Sequence, residues 1–279
     1  MVGIVSHGAY VPFYRIDRKT IFAAMGWLDS ATRSKGEKAI CNFDEDSVTM
    51  SVAAATNCLK GFDRDHVDGV YLATASQPAI ERQASGITAT ALDIRPDIRT
   101  ADFTGSTRAG STNIIAACDA IKAGSAGTIL TCAADCRTGK PGSPDEQNYG
   151  DAAAAFLFGD NGVIAEFEGS YSVSYDFMGH WMGSGDEFGH SWESRWVKEE
   201  GYVQFIVEAI SGLLQKHSLE ARDIAKVIYP SPNSRDAKAV AKKLKLEDGQ
   251  VQDSLFDRVG DCGTASPLLM LSAALDDAE

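Results

Sequence analysis

The sequence contains no apolar run approaching the roughly 20 residues needed to cross a bilayer, so a membrane-spanning role is not expected. It is also short of positive charge, with 26 Lys and Arg against 39 Asp and Glu, for a net charge of −13. That balance argues against nucleic acid or an anionic membrane as the main partner. No secretory leader opens the chain, so its six cysteines read as reduced thiols of a cytoplasmic protein. Cys132 and Cys136 bracket Ala-Ala-Asp, but no second Cys or His pair follows at zinc-ribbon spacing, and no metal is expected. No segment is compositionally extreme, and at 279 residues the chain is long enough for one large domain or two similar halves.

Buried strands and helices alternate along the chain. Val2-Gly-Ile-Val-Ser6 opens as a strand and residues 8–12 turn out of it. Residues 16–28 have helical spacing, 34–45 are polar and loop-like, and Asp46 or Ser47 caps a helix whose face carries Val48, Val52, Ala55 and Leu59. Strands follow at 67–74, 127–133 and 149–158, with helices at 85–92 and behind Asn113. Gly159-Asp-Asn-Gly162 has hairpin chemistry, with a long strand expected over 163–175. Residues 176–197, rich in Gly, Trp, Met and His, read as a covering loop that packs aromatics, or as a wall of a cleft. A helix at 199–216, a strand at 224–229 and a helix at 236–244 complete the pattern. This is an α/β protein with a parallel or mixed sheet in each half.

Two glycine elbows run into helices. The first is Thr100-Ala-Asp-Phe-Thr-Gly-Ser-Thr-Arg-Ala-Gly-Ser-Thr-Asn113, followed by Ile114, Ile115, Cys118 and Ile121 at helical spacing. Such an elbow exposes a side chain at a helix N-terminus, where free N–H groups and the dipole favour negative charge. That is where a nucleophile or acyl oxyanion belongs, yet the tip holds Gly105, Ser106, Thr107 and Arg108 and no cysteine. The second elbow is Val259-Gly-Asp-Cys-Gly-Thr-Ala-Ser-Pro-Leu-Leu-Met-Leu271. The sequence stops at Asp276-Asp-Ala-Glu279 within its helix, so the second half is expected to lack a C-terminal segment.

Several motifs taken in order carry a resemblance. They are Gly3-Ile-Val-Ser-His-Gly-Ala-Tyr-Val-Pro12, Asp44-Glu-Asp46, Ala101-Asp-Phe with Arg108-Ala-Gly110, Gly139-Lys-Pro-Gly142 with Gly150-Asp-Ala-Ala-Ala154, Ala241-Lys-Lys-Leu244 and Gly260-Asp-Cys-Gly-Thr-Ala-Ser266. Together they resemble the 3-hydroxy-3-methylglutaryl-CoA synthase branch of the thiolase superfamily, and most of all its bacterial and archaeal members that associate with a zinc-ribbon/OB-fold protein. The resemblance implies a thiolase fold, layered αβαβα in two similar halves, here 1–165 and an incomplete 166–279. It also implies a homodimer, or a heterodimer with a thiolase-fold relative, and a coenzyme A thioester as substrate or ligand.

In that family an elbow cysteine is acylated, a glutamate removes a donor proton, and a histidine and an asparagine polarise the acceptor carbonyl. At the matching positions this sequence has Thr107, Ala75, Tyr229 or Pro230, and Asp261. The resemblance therefore implies a subunit of an acyl-CoA condensing or thiolytic complex without its own Cys, Glu and His. Two alternatives stand beside it: an active acyltransferase using Cys262, where thiolases proper keep a catalytic cysteine, and an acyl-CoA binding protein without turnover. Ser106 and Thr107 also read as helix-capping hydroxyls, and Cys262 as a small buried residue in a tight elbow. Arg108, Arg137 and Lys140 are candidates for the phosphates or carboxylate of a CoA ester, or plain surface charge. Asp145, Glu146 and Asp151 read as solvated or turn-forming, and His180 and His190 as loop residues.

Overall fold

A computed structural model describes residues 1–26, 35–231 and 234–278. In chain order the elements are β1 (Gly3–Tyr10), β2 (Tyr14–Asp17), α1 (Arg18–Met25), β3 (Glu37–Ile40), α2 (Ser47–Cys58), β4 (Gly69–Ala73), α3 (Ala84–Ala91), β5 (Arg99–Phe103), α4 (Ala109–Lys122) and β6 (Ile129–Asp135). They continue with α5 (Pro144–Asn148), β7 (Ala152–Gly159), β8 (Ala165–Glu166), β9 (His180–Trp181), β10 (His190–Ser191), α6 (Ser194–Trp196), α7 (Val203–Lys216), α8 (Ser234–Leu244) and α9 (Ser266–Asp276). Among the described residues no helix is long and apolar enough to cross a membrane.

A six-stranded mixed sheet, ordered β5-β4-β6-β7-β1-β8, organises the chain. β5, β4 and β6 run parallel, whereas β7 is antiparallel to both β6 and β1. β6 and β7 are buried on both faces, which is why they read as unbroken apolar runs. The period of two shows in what each face meets. Ile129, Ala133, Ala154, Phe156 and Phe158 join a core with Ala117, Cys118 and Ile121 of α4 and Leu268 and Leu269 of α9. Leu130, Cys132, Ala153, Ala155 and Leu157 point the other way, into a core with Met50, Ala54, Ala55 and Cys58 of α2 and Ala84 and Ala89 of α3. Gly8 lets β1 approach α2, because a Cβ there would collide with Ala54 O and Cys58 N. A third cluster joins Val203, Val227, Tyr229, Val240 and Leu244 beneath α7 and α8.

Several expectations hold at residue level. Asp46 caps α2 in a reciprocal box with Thr49. α4 begins directly behind the first elbow, but its buried face centres on Asn113, Ala117, Cys118 and Ile121, with Ile114 and Ile115 only half-buried. Asn113 reaches the core because its Nδ2 donates to Cys132 O at 2.9 Å.

Other expectations are corrected. Residues 159–162 do not close a hairpin, since β1 lies between β7 and β8. The long strand expected over 163–175 shrinks to Ala165–Glu166, because its partner run on β1 covers only Gly3 and Ile4. β1 runs through Tyr10 rather than turning at Gly8. Part of the polar 34–45 stretch is β3, paired with β2, and that ladder takes the first residues of the helix expected over 16–28. The tail of that expected helix, residues 27 and 28, lies outside the described residues. In place of a strand at 224–229, only Val227 bridges to Val251.

Arg18 is fully buried and ties three segments together. Its Nε donates to Gln147 O at 2.8 Å, and its two terminal nitrogens to Lys35 O and Phe256 O, both at 2.6 Å. The guanidinium also lies 4.2 Å from the centre of the Phe256 ring. Hydrogen bonds from a charged donor are worth about 1.5–3 kcal/mol each, and orphaning buried carbonyls adds to the loss. Arg18→Met is therefore expected to destabilise the chain by about 3 kcal/mol or more, read from urea unfolding; an unchanged midpoint contradicts this role.

Candidate functional site

The β6 strand is apolar until its last residue, Asp135, whose carboxylate is completely buried. Oδ1 accepts from Thr74 Oγ1 at 3.0 Å, Ala75 N at 2.7 Å and Ser76 Oγ at 2.8 Å, all just past the end of β4. Oδ2 accepts from Thr264 N at 2.7 Å and Thr264 Oγ1 at 2.8 Å, in the second elbow. One buried charge is thus satisfied by five donors from two distant stretches, as burial of a carboxylate requires. Gly263 has φ +56°, and a Cβ there would collide with Asp135 Oδ2. Only glycine lets the elbow come this close.

Arg137 follows two residues later. Its guanidinium lies 4.0 Å from the centre of the Tyr149 ring, and one terminal nitrogen reaches Asp261 Oδ1 at 2.8 Å and Asp261 O at 2.9 Å. Its Nε is buried without a hydrogen-bond partner. Burial opposes its charge, but Asp261 and Asp135 more than offset this and hold Arg137 above its ordinary value. For Asp261, desolvation pushes the carboxyl up, yet Arg137 and the Gly263 N–H prevail, and it sits below its ordinary 3.8. Asp261 N donates to Asn148 O at 2.7 Å, fixing the second elbow on the segment that leads into β7.

On the outer side, Tyr149 Oη and His180 Nε2 approach to 3.5 Å, and His180 Nδ1 lies 3.2 Å from Ser191 Oγ. Desolvation lowers the His180 imidazole below its ordinary 6.5 against the opposing pull of Asp145. Burial raises Asp145, against His180 and Tyr149. Asp151 is raised as well, chiefly by burial, and its Oδ2 accepts from Cys41 N at 2.7 Å. Asp145 and Asp151 are half-buried at the edge of this polar network, whereas His180 is exposed on its outer side, as a surface loop residue.

The sequence candidates divide between this network and its margins. Ala75, Arg137, Asp261 and Cys262 gather around Asp135. Cys262 is 1% exposed, its N–H donates to Ser266 Oγ at 2.8 Å, and its thiol faces Gly260 O at 3.6 Å. Burial, reinforced by Asp261 and Asp151, pushes that thiol well above its ordinary value. Ser106 and Thr107 are exposed at the first elbow, where Gly105 has φ +79° and Ser106 Oγ accepts from Arg108 N at 3.2 Å. The first turn of α4 nonetheless abuts the second elbow, since a Cβ on Gly110 would collide with Thr264 O. Arg108 donates to Val173 O at 3.1 Å and Ser174 Oγ at 3.0 Å. Lys140 is exposed. Pro230 is also apart, its carbonyl accepting from Tyr202 Oη at 2.9 Å. Among the described residues no group of three or more His, Cys, Asp or Glu is placed to hold a metal ion.

Asp135, Thr264 and Tyr149 were not singled out by the sequence reading. The available signal was the charge closing Ile129-Leu-Thr-Cys-Ala-Ala-Asp135, because a carboxylate at the end of a doubly buried strand needs a full set of donors.

The family described as 3-oxoacyl-[acyl-carrier-protein (ACP)] synthase III C terminal matches residues 214–279. A hydroxymethylglutaryl-CoA synthase from Methanopyrus kandleri is 32% identical over 286 residues, covering 100% of this chain and 81% of that one. The 3-oxoacyl-(acyl carrier protein) synthase III of Pseudomonas aeruginosa PAO1 superposes with a TM-score of 0.85 at 20% identity, covering 99% of this chain and 90% of that one. A crystal structure of an HMG-CoA synthase complexed with CoA also gives a TM-score of 0.85, at 18% identity, covering 100% of this chain and 75% of that one. The α/β fold is that of this structural family.

The depressed Asp261 carboxyl has a signed consequence. Such a group adds stability above its unfolded value and loses it as pH falls through its folded value. The stability gap between wild type and Asp261→Asn, read from urea midpoints, is therefore expected to be wide near about pH 6 and narrow near about pH 3. A gap independent of pH contradicts the ion pair with Arg137.

Proposed function

The chain belongs to the hydroxymethylglutaryl-CoA synthase family, and from that premise we propose that it is a subunit of an acyl-CoA condensing or thiolytic assembly which does not itself carry the acyl group. The observation behind this reading is the state of the two elbows. At the first, the position matching the family's cysteine is Thr107, an exposed hydroxyl to which no described base is hydrogen-bonded. A threonine hydroxyl without a base is a weak nucleophile. At the second, Cys262 is buried, and its raised value keeps it a thiol rather than a thiolate.

The remaining positions support the same conclusion. Ala75 offers a methyl group where a proton-abstracting carboxylate is needed; at the histidine position Pro230 has no nitrogen that donates or accepts a proton, and the alternative, Tyr229, is buried with its hydroxyl donating to Ala237 O at 2.9 Å. Asp261 places a carboxylate where an amide N–H would face a developing oxyanion, and its charge is already engaged by Arg137. A fixed negative charge at that point repels an oxyanion instead of stabilising it.

A coenzyme A thioester is the ligand class we assign, supported by the family and by the CoA in the related synthase structure. Arg108 and Lys140 are the exposed cations available to its phosphates, whereas Arg137 is committed to Asp261. For assembly we assign a homodimer, or a heterodimer with a thiolase-fold relative that supplies the nucleophile. β5 supports this: among the described residues it pairs with β4 alone and leaves a sheet edge open to a partner strand. The zinc-ribbon/OB-fold partner rests on the resemblance of the sequence motifs.

The test is intact-protein mass spectrometry after incubation with a panel of acyl-CoAs including acetyl-CoA, on the chain alone and with co-purified subunits. The expected result is no acyl mass on this chain and an adduct on the thiolase-fold partner. An adduct mapped to Cys262, Ser106 or Thr107 overturns the reading and makes the chain an acyltransferase in its own right.

A further inference from the structure

The stretch from Asp176 to Val197, distinct in sequence for its Trp, Met and His content, folds into one continuous row of rings. Tyr175 stacks on Phe205 of α7 with 4.7 Å between ring centres, and Phe205 meets Phe177 edge-on at 5.2 Å. Phe177 stacks on Trp196 at 4.4 Å, and the row runs on to Trp192 at 6.4 Å and then to Trp181 at 6.2 Å. Tyr175 and Trp192 are each more than half exposed, as are Met178 and Met182 beside them. Contiguous apolar surface left open to water marks an interaction site.

The backbone holds this surface in shape. β9 pairs with β10, and Trp192 N donates to Gly179 O at 3.0 Å. Glu193 caps α6 by accepting from Arg195 N at 3.0 Å and Trp196 N at 2.7 Å. A partner therefore meets rings already in place, and little ordering entropy is lost on binding.

Charge identifies the partner. Between Tyr175 and Glu208 the sequence has seven Asp and Glu but two cations, Arg195 and Lys198. Both cations are engaged, Arg195 with Glu199 at 3.1 Å and Lys198 with Asp236 at 2.5 Å. The carboxylates are spread along the row. Glu208 accepts from the Tyr175 hydroxyl at 2.9 Å, and Glu193 adjoins Trp192 in the middle. At the far end Asp186 lies 3.2 Å from His190, whose ring stacks on Trp181. Trp192 is inclined by 45° to Trp181 and 61° to Trp196, so neither ring lies flat against it. An open indole face beside carboxylates attracts a cation, and a planar guanidinium above all.

From this arrangement we infer that the row docks an arginine-bearing, cationic segment of a partner protein. Aromatic side chains form the centre of the contact and carboxylates its rim, the usual division within a protein interface. Nucleic acid and anionic membranes are repelled by the same carboxylates. Docking here is independent of whether the chain carries an acyl group.

The test titrates the full chain with an oligo-arginine peptide. Three of the four tryptophans, Trp181, Trp192 and Trp196, lie in the row, so indole emission reports on this face, and anisotropy of a labelled peptide gives the affinity. Saturable binding with a change in emission is expected. Trp192→Ala is expected to weaken binding about fivefold, the loss of one cation–π contact. Glu193→Gln combined with Glu208→Gln is expected to weaken it more than Asp65→Asn combined with Asp93→Asn. The second pair makes the same change of charge ahead of β4 and β5, at the other end of the sheet. Circular dichroism matching wild type confirms that the variants are folded. Absence of saturable binding, an unchanged affinity in Trp192→Ala, or equal losses in the two carboxylate pairs overturns the inference. Sedimentation with phosphatidylcholine vesicles without peptide binding overturns it as well.

Discussion

The structure depends most on the buried carboxylate of Asp135. It has no exposure to water, and its five hydrogen bonds come from the end of β4 and from the second elbow. A buried ion that loses its donors is strongly destabilising, so neither group can move without leaving the charge uncompensated. The carboxylate therefore locks the central sheet to the segment that opens α9. The close approach of Gly263 to Asp135, and of Gly110 to Thr264, follows from that requirement.

The character of the site follows from the same anchor. With the second elbow pinned on Asp135, Asp261 comes within reach of Arg137, and Arg137 is pressed onto the Tyr149 ring. The polar centre is an ion pair surrounded by further hydrogen bonds, and the thiol beside it, Cys262, is sealed and protonated. The first elbow keeps its shape through Gly105 and the start of α4, but presents exposed hydroxyls. The proposed supporting role rests on this contrast between a sealed thiol at one elbow and exposed hydroxyls at the other.

The parts of the fold that were legible in the sequence are those fixed by local chemistry. Asp46 with Thr49 closes a capping box for α2, and the apolar runs of β4, β6 and β7 have the composition of strands buried on both faces. Illegible features depend on distant partners. Residues 163–175 alternate well enough for a strand, but β1 offers a ladder only at Gly3 and Ile4. β3 is polar and became a strand only because β2 pairs with it. In the site, the elbows, and Thr107, Ala75 and Asp261 at the positions matching the family's motifs, were visible in the sequence. Asp135 was not, because an aspartate at a strand end usually turns toward solvent, and its donors lie as far away as Thr264. Asp145 reads as a solvated turn residue for the same reason, since it becomes half-buried only in the folded chain.

One carboxylate couples the β4 end to the second elbow. Amide hydrogen exchange of Ala75 and Thr264, compared between wild type and Asp135→Asn, tests it most directly. Both N–H groups donate to this carboxylate in the native protein, so both should exchange slowly in wild type. The account predicts that the substitution accelerates both together while amides within β7 stay protected. Acceleration at one site with the other unchanged, or at neither, would contradict it.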